Sequence, residues 1–444
     1  MSILFYAWGE PIYVVLMLCS ILLNWSTCLI IEKMQERPKG KKNALWIAVG
    51  LNLSVLFAFK YLSFCFEVIN SLIGSNIMPE VELSLPIGIS FYTFQAISYV
   101  VDVYHQETKA EKNPFYVGLY ISFFPQLVAG PIVKYSSIAD QIRNRTNSYS
   151  GIASGTCRFM RGFIKKILLA NNFAILADLI FNYSQMGYSQ HTVPVAMAWL
   201  GCIAYTLQIY FDFSAYSDMA IGLGKIFGFT FPENFNYPYY ASSIQDFWRR
   251  WHISLTSWFR EYVYFPLGGS RGKNSDYMIR NMFIVWVLTG IWHGAGPSFI
   301  IWGLWHFVFQ LAERFFEYGK SGRHQVIMRV YTLLVVALGW VVFRATDLYQ
   351  AGIFYLNMFG LNHNGLWNSE VTFLIKEYWV FMVAGILFSI PSIKVLQNKV
   401  NESKNIVMKE IFQYGYMLVC FVLFLVSMSY IVRGSYNPFI YFNF

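Results

Sequence analysis

Long apolar runs separated by short polar links repeat along the whole chain. A helix needs about 20 largely apolar residues to cross the hydrocarbon core of a bilayer. Runs of this kind predict spans near 11–31, 44–64, 85–104, 115–133, 156–182, 193–216, 278–294, 297–318, 327–345, 371–391 and 411–432. The spans at 115–133 and 278–294 contain Pro, Gly or His, which favours re-entrant or broken helices there. The pattern predicts an all-α, polytopic integral membrane protein with about 10 to 11 transmembrane helices.

The charged links predict how the chain crosses the membrane. Lys and Arg are enriched in cytoplasmic loops, and they are dense in the links from Lys33 to Lys42, Arg314 to Arg329 and Lys394 to Lys409. We therefore expect these links on the cytoplasmic side, and the weakly charged link 346–370 on the outer side with both termini. Residues 217–277 mix Arg and Lys with aromatic residues, Gly and Pro, which predicts a segment that lies partly in the membrane.

Composition supports a membrane protein and excludes other classes. Hydrophobic residues make up 56% of the chain and charged residues 13%, whereas soluble domains carry about 25% charged residues. The formal charge of +9 comes from the short links, so it predicts membrane topology and no nucleic-acid partner. The six cysteines are scattered without a CxxC pair or a histidine at metal spacing, and we expect no metal site.

The run YTLQIYFDFSAYSDM places polar side chains inside an apolar span. Tyr205, Gln208, Asp212 and Tyr216 follow one another at steps of three and four, which return to the same face of an α-helix. Ionisable groups at membrane depth are costly and therefore candidates for function. Two interpretations stay open for Asp212 and Gln208: they hold helices together, or they line a substrate channel.

A second polar segment reads SSIQDFWRRWHISLTSWFREY. Its arginines alternate with tryptophans, as in an interfacial helix whose guanidinium groups reach toward phosphates. Trp248, Arg249 and Arg250 are candidates for the substrate channel, although an anchoring role for the arginines fits as well. His252 is harder to explain as an anchor, because it follows a tryptophan in a stretch of fixed charges.

The third segment, LTGIWHGAGPSFIIWGLWHF, carries two histidines in an apolar environment. An imidazole takes up and returns a proton near neutral pH, which is the requirement for a general base. His293 is the candidate base, and Trp292 beside it is a candidate for the channel. His306, on the next helix, is either a channel residue or a buried structural histidine. The chain has no G-x-S-x-G nucleophile elbow, P-loop or dinucleotide-binding turn, so acyl transfer by a base alone is favoured over serine-hydrolase chemistry or ATP use.

Several motifs occur together in a characteristic order: SLPIGISFYTFQAISYVVDVY, FFPQLVAGPIVKYSSIADQI, FDFSAYSDMAIGLGKIFGF, FPENFNYPYYASSIQDFWRRWHISLTSWFREYVYFPLGGSR, LTGIWHGAGPSFIIWGLWH and the terminal NPFIYFNF. On these motifs the chain resembles the membrane-bound O-acyltransferase family over its whole length. It is most similar to the bacterial branch that O-acetylates alginate, peptidoglycan and other exopolysaccharides, and less similar to members that transfer D-alanine to teichoic acid.

The resemblance implies a single membrane domain over 1–444, with a ring of helices around a funnel and a catalytic core at about 205–317. It implies that His293 is the essential histidine and that His252 occupies the second characteristic polar position. It also implies a cytoplasmic thioester donor, acetyl-CoA or an acyl carrier protein, with no bound cofactor. The expected location is the bacterial inner membrane, with an extracytoplasmic partner of the SGNH-hydrolase type.

Other functions remain as alternatives. D-alanyl transfer to teichoic acid is the second enzymatic interpretation. A transporter would use buried Asp212 and His293 as a proton relay, but neither half of the chain repeats the other, as many transporters do. An assembly scaffold without catalysis is a further possibility.

Overall fold

The computed structural model describes residues 1–81, 83–270, 275–316, 324–403, 405–434 and 439. Helices and turns account for all regular structure in these ranges, which confirms the predicted all-α class. Parts of three predicted features lie outside the described residues: most of the terminal motif NPFIYFNF, the last residue of the long motif that ends in YFPLGGSR, and the middle of the basic link from Arg314 to Arg329.

Twenty α-helices lie within the described ranges, joined by turns and by two π-helical and two 3-10 segments. In chain order the helices are α1 (Ser2–Gly9), α2 (Tyr13–Lys33), α3 (Pro38–Lys60), α4 (Leu62–Ile73), α5 (Ile89–Tyr104), α6 (Pro114–Ser122), α7 (Phe124–Leu127), α8 (Tyr135–Asn144), α9 (Tyr149–Ile164), α10 (Asn171–Phe181), α11 (Val195–Ile226), α12 (Ile244–Arg250), α13 (Ile253–Phe259), α14 (Ser275–His293), α15 (Pro297–Phe315), α16 (Gln325–Arg344), α17 (Leu348–Met358), α18 (Ser369–Ser389), α19 (Ser392–Glu402) and α20 (Ile406–Val432).

Six of the described helices are long and apolar enough to cross a membrane on their own, namely α2, α3, α11, α16, α18 and α20. They coincide with six of the predicted spans. The other five predicted spans fall on shorter or interrupted helices: 85–104 on α5, 115–133 on α6 and α7, 156–182 on α9 and α10, 278–294 on α14, and 297–318 on α15. The chain is therefore a polytopic membrane protein, as expected.

The two predicted helix breaks have different outcomes. The span at 115–133 is broken, because α6 ends at Ser122 and the short α7 begins two residues later with Pro125 in its first turn. The break expected within 278–294 is wrong, because α14 continues to His293. Its Gly290 faces the backbone of α15 instead of ending the helix, and Pro297 occupies the first turn of α15, where a missing N–H costs no hydrogen bond.

The contacts divide the described chain into two compact units. Unit 1 comprises Met1–Thr156, Ala220–Glu233 and Ser257–Gly269, and unit 2 comprises the described parts of Cys157–Met219, Asn234–Thr256 and Ser270–Phe444. The prediction of one domain over 1–444 with its core at about 205–317 stays a prediction.

Unit 1 is built around α5, which packs against both α2 and α3. Nearly every residue of α5 is buried, including polar Gln95 and Asp102. The adjoining helices α2 and α3 are joined by a buried pair of amides, in which Asn24 Nδ2 donates to Asn52 Oδ1 at 3.2 Å and Asn52 Nδ2 donates back at 2.9 Å. Reciprocal amide pairing satisfies polar groups that would otherwise be buried without partners.

Unit 2 contains the helix pair α14 and α15 and the central part of α11, and it holds every candidate residue of the sequence analysis. A Cβ atom at Gly290 would lie 2.5 Å from the carbonyl oxygen of Phe299, and one at Gly303 would overlap the carbonyl of Trp286. Glycine at these positions therefore allows α14 and α15 to pack with their backbones nearly in contact. The turn between these helices places His293 beside α15.

Candidate functional site

His293 is the last residue of α14, and its side chain is buried among aromatic rings. The imidazole meets Trp292, Trp302 and Phe343 nearly edge-on, with centroid distances of 4.8, 4.9 and 5.2 Å. The next residue is Gly294, where a Cβ atom would overlap the ring of Phe299. The chain can therefore turn from α14 into α15 only with glycine at this position, and this turn fixes the place of His293.

His252 lies in the irregular link between α12 and α13 and is fully buried. Its backbone has φ of +43°, in the left-handed region that side chains other than glycine rarely adopt. Such a conformation costs on the order of 1–3 kcal/mol and persists where the surrounding structure imposes it, often at functional sites. Burial lowers the pKa of His252 to about 3, so the imidazole is neutral at physiological pH.

Asn234 fixes the tautomer of His252. The side-chain Oδ1 of Asn234 accepts the backbone N–H of Ser254 at 3.1 Å and the Ser254 hydroxyl at 2.9 Å. Because a backbone N–H only donates, the amide atom that faces it is the oxygen. The same oxygen lies 3.2 Å from His252 Nδ1, which must therefore carry the proton. Nε2 of the neutral ring is then the nitrogen with the lone pair.

The two histidines share one aromatic neighbour. The ring centroid of Trp292 lies 6.1 Å from that of His252 and 4.8 Å from that of His293. The two imidazole centroids are thus separated by no more than the sum of these distances. The structure brings together His252, Trp292 and His293, which the sequence analysis selected from separate segments.

Trp248 and His306 belong to a neighbouring aromatic cluster. Trp248 Nε1 donates to His306 Nδ1 at 3.3 Å, which places the proton of the neutral His306 ring on Nε2. The imidazole of His306 stacks on Trp286 at 5.4 Å and meets Trp302 edge-on at 5.1 Å. These contacts favour the structural interpretation of His306, because Trp248 occupies Nδ1 and two further tryptophans pack against the ring; a channel role stays a prediction.

The polar face of α11 carries an ion pair that the sequence analysis did not anticipate. Asp212 is buried, and its Oδ1 lies 2.7 Å from Nζ of Lys166, which belongs to the π-helical segment Lys165–Ala170 between α9 and α10. Lys165 of the same segment pairs with Asp218 at 2.6 Å. Gln208 is buried one turn from Asp212. The pairing supports the role of Asp212 in joining helices, while a channel role for Asp212 and Gln208 stays a prediction.

The two predicted channel arginines are the last two residues of α12. Arg249 is exposed, and Arg250 pairs with Asp246 four residues earlier, at 2.9 Å. A carboxylate from α15 holds the start of α12: Glu313 accepts the backbone N–H groups of Ile244 at 2.6 Å and Gln245 at 3.2 Å. Glu313 thus ties α15 to α12, the helix that leads directly into His252. A substrate contact for either arginine stays a prediction.

Sequence reasoning missed three of these partners. Lys166 had a detectable signal, because a lysine inside an apolar span is costly unless it is paired. Asn234 stood inside the quoted motif FPENFNYPYY, but only the fold brings it to His252. The role of Glu313 at the start of α12 depends on a contact across 69 residues of sequence.

Comparisons with known proteins identify the family of the chain. The model of the membrane-bound O-acyltransferase family matches residues 40–343. The chain is 37% identical to a protein named probable alginate O-acetylase from Pseudomonas putida, over 100% of this chain and 93% of that one. It is 34% identical to a peptidoglycan O-acetyltransferase of Helicobacter pylori, over 100% and 90% of the two chains. It is also 31% identical to a teichoic acid D-alanyltransferase of Bacillus subtilis, over 57% and 65%.

Proposed function

The chain belongs to the membrane-bound O-acyltransferase family, and we propose that it O-acetylates a polysaccharide of the bacterial envelope, using an acetyl thioester supplied from the cytoplasm. Its O-acyltransferase activity follows from the family and from relatives named as O-acetylases. The full-length similarity to an alginate O-acetylase and a peptidoglycan O-acetyltransferase supports the choice of acetyl group and polysaccharide. The similarity to the D-alanyltransferase covers little more than half of the chain.

The observation that carries the proposed mechanism is the convergence of two buried histidines on Trp292. His293 accepts the proton of an acceptor hydroxyl as the oxygen attacks the thioester carbonyl, and later returns that proton to the departing thiolate. His252 is neutral, and its Nε2 lone pair accepts a hydrogen bond from a second hydroxyl of the acceptor sugar, which orients the reacting hydroxyl toward His293. Positioning of this kind replaces a random encounter of the two reactants with an aligned one.

The donor, partner and location are parts of the same proposal. The donor is acetyl-CoA, with an acyl carrier protein as the alternative, and neither is a resident cofactor. We place the chain in the inner membrane, with an SGNH-type acetyltransferase on the outer face completing transfer to the polymer. The described helices long enough to span a bilayer support a multi-pass location.

Replacing His293 with Gln tests the proposal. Mass spectrometry of the envelope polymers from cells that express the variant should show loss of O-acetyl groups, because removal of a general base lowers rates by about 10²–10⁴-fold. His191→Gln is the control, since His191 is exposed. Retained O-acetylation in the His293 variant would contradict the mechanism. Loss of D-alanyl esters with intact O-acetyl groups would instead identify the D-alanyl branch.

A further inference from the structure

Trp302 lies on α15, is fully buried, and meets the proposed base directly. Its indole is edge-on to the imidazole of His293, with a centroid distance of 4.9 Å and an interplanar angle of 85°. A residue in contact with a general base is a candidate to contact the atoms on which the base acts. The polar group of this indole is its Nε1–H, a hydrogen-bond donor.

The Nε1–H group of Trp302 has no hydrogen-bond acceptor among the described residues, although it is buried. Three other indoles of unit 2 have acceptors: Trp248 donates to His306 Nδ1, Trp286 to Gln310 Oε1 at 3.2 Å, and Trp305 to the carbonyl of Val335 at 2.9 Å. Trp340 Nε1, like that of Trp302, is buried without a hydrogen-bond acceptor among the described residues. A buried N–H without an acceptor is unfavourable, and buried tryptophans normally find a partner. Of the two indoles, Trp302 is the one whose ring meets the imidazole of His293.

The surrounding rings hold the Trp302 indole in one orientation. Trp340 stacks on it at 5.6 Å with an interplanar angle of 22°. Phe343 meets it at 5.0 Å and 65°, and His306 meets it at 5.1 Å and 78°. A donor held in place by packing needs no reorganisation when charge develops near it, which is the condition for strong electrostatic stabilisation of a transition state.

We infer that the Nε1–H of Trp302 is a catalytic hydrogen-bond donor that stabilises the oxyanion formed when the acceptor hydroxyl attacks the thioester carbonyl. The inference rests on the proposed function. In this step the hydroxyl oxygen forms a bond to the carbonyl carbon, His293 takes the hydroxyl proton, and the carbonyl π electrons move onto oxygen. The resulting oxyanion accepts the Trp302 N–H. Collapse of the oxyanion breaks the carbon–sulfur bond, and His293 returns the proton to the thiolate.

The test removes the N–H while keeping an aromatic ring. Trp302→Phe should lower kcat by about 10²–10³-fold, the usual loss for one oxyanion donor, with KM for acetyl-CoA changed by less than about threefold. Trp286→Phe is the matched control, because it removes an indole N–H that donates to Gln310 in the same helix pair. This control should keep wild-type kcat. Both variants are assayed as purified full-length chain in liposomes, by release of CoA.

A second variant separates chemistry from folding. Incorporation of 3-benzothienylalanine at position 302 replaces the N–H by sulfur and keeps the size of the indole, so it should lose kcat as Trp302→Phe does, without a change in thermal unfolding. Activity of this variant within about threefold of wild type would overturn the inference, and would indicate that the N–H serves only a buried water. If wild-type chain releases no CoA and O-acetylates no polymer, the proposed function itself fails, which is a distinguishable result.

Discussion

Replacing Asn234 with Asp changes the proton on His252 while preserving the shape of the site. In the wild type, Asn234 Oδ1 lies 3.1 Å from the backbone nitrogen of Ser254, 2.9 Å from its hydroxyl and 3.2 Å from His252 Nδ1. The carboxylate of the variant keeps an oxygen at this place for all three groups. What the variant adds is a negative charge beside the imidazole. An opposite charge at this range stabilises the imidazolium and raises the pKa of His252.

The size of the shift follows from the contact distance. Two unit charges whose centres lie about 4 Å apart attract by about 4 kcal/mol at an effective dielectric constant of about 20. That energy corresponds to about three pKa units, which would move the pKa of His252 from about 3 in the wild type to about 6. Below that pH both ring nitrogens carry protons, and the lone pair on Nε2 is lost.

The assay is acetyl transfer by the purified chain in liposomes, measured from pH 5.5 to 8.5. Wild-type activity should show no loss attributable to His252 over this range, because its pKa lies far below it. In Asn234→Asp, activity should fall about tenfold for each pH unit below about 6 and approach the wild-type level near pH 8. Asn236→Asp is the control, because Asn236 is exposed and its own carboxylate would be solvated.

Superimposable profiles for wild type and Asn234→Asp would refute the reasoning that Asn234 sets the protonation of His252. Stability provides an independent check. The usual histidine pKa is 6.5, so the stabilisation from burying neutral His252 is complete above pH 6.5 and declines toward pH 3, by up to about 1.4 kcal/mol per pH unit. Between pH 6 and pH 4 the variant should lose much less stability than the wild type, because its folded-state pKa is close to the unfolded one.

Two further predictions concern the packing around the site. Gly294→Ala should abolish most activity and lower the melting temperature, because the added Cβ would overlap the Phe299 ring. Gly296→Ala is the control and should be tolerated, because its Cβ would lie 3.9 Å from that ring. Equal activity of the two variants in the acetyl-transfer assay would contradict this prediction. Lys166→Met should destabilise the protein by about 3–5 kcal/mol, because it removes the lysine that pairs with the buried Asp212 carboxylate. Adding Asp212→Asn should recover part of this loss, measured by thermal unfolding. A double variant no more stable than Lys166→Met would argue against the importance of the pair.

The apolar pattern predicted the class of fold because membrane helices are specified by length and hydropathy. The same pattern predicted a re-entrant or broken helix within 278–294, where α14 continues without a break to His293 and includes Gly290. A glycine need not break a helix when its missing side chain allows close packing, and here the backbone of α15 occupies the space beside Gly290. Whether a glycine packs or breaks depends on a neighbour that a local pattern does not contain.

The site was predicted in part. His252, Trp292 and His293 were selected because polar groups in apolar sequence are costly, and the fold does place both histidines against Trp292. The tautomer of His252 could not be predicted from the sequence, because it depends on a contact with Asn234, which is 18 residues away in the chain. Trp302 was not among the predicted site residues, because its buried Nε1–H without an acceptor, placed against His293, results from the packing of several helices.

The π-helical turn Lys165–Ala170 has a consequence for insertions and deletions. A π turn accommodates one more residue per turn than an α turn, and here it lets the adjacent residues Lys165 and Lys166 reach Asp218 and Asp212 on the same helix. Deleting one residue in this turn would restore α periodicity and rotate one lysine out of reach of its carboxylate. Relatives in which a one-residue gap at this turn removes the Lys166 contact are therefore expected to have replaced Asp212 by an uncharged residue, whereas Asp218 would keep its pair with Arg158 at 2.9 Å.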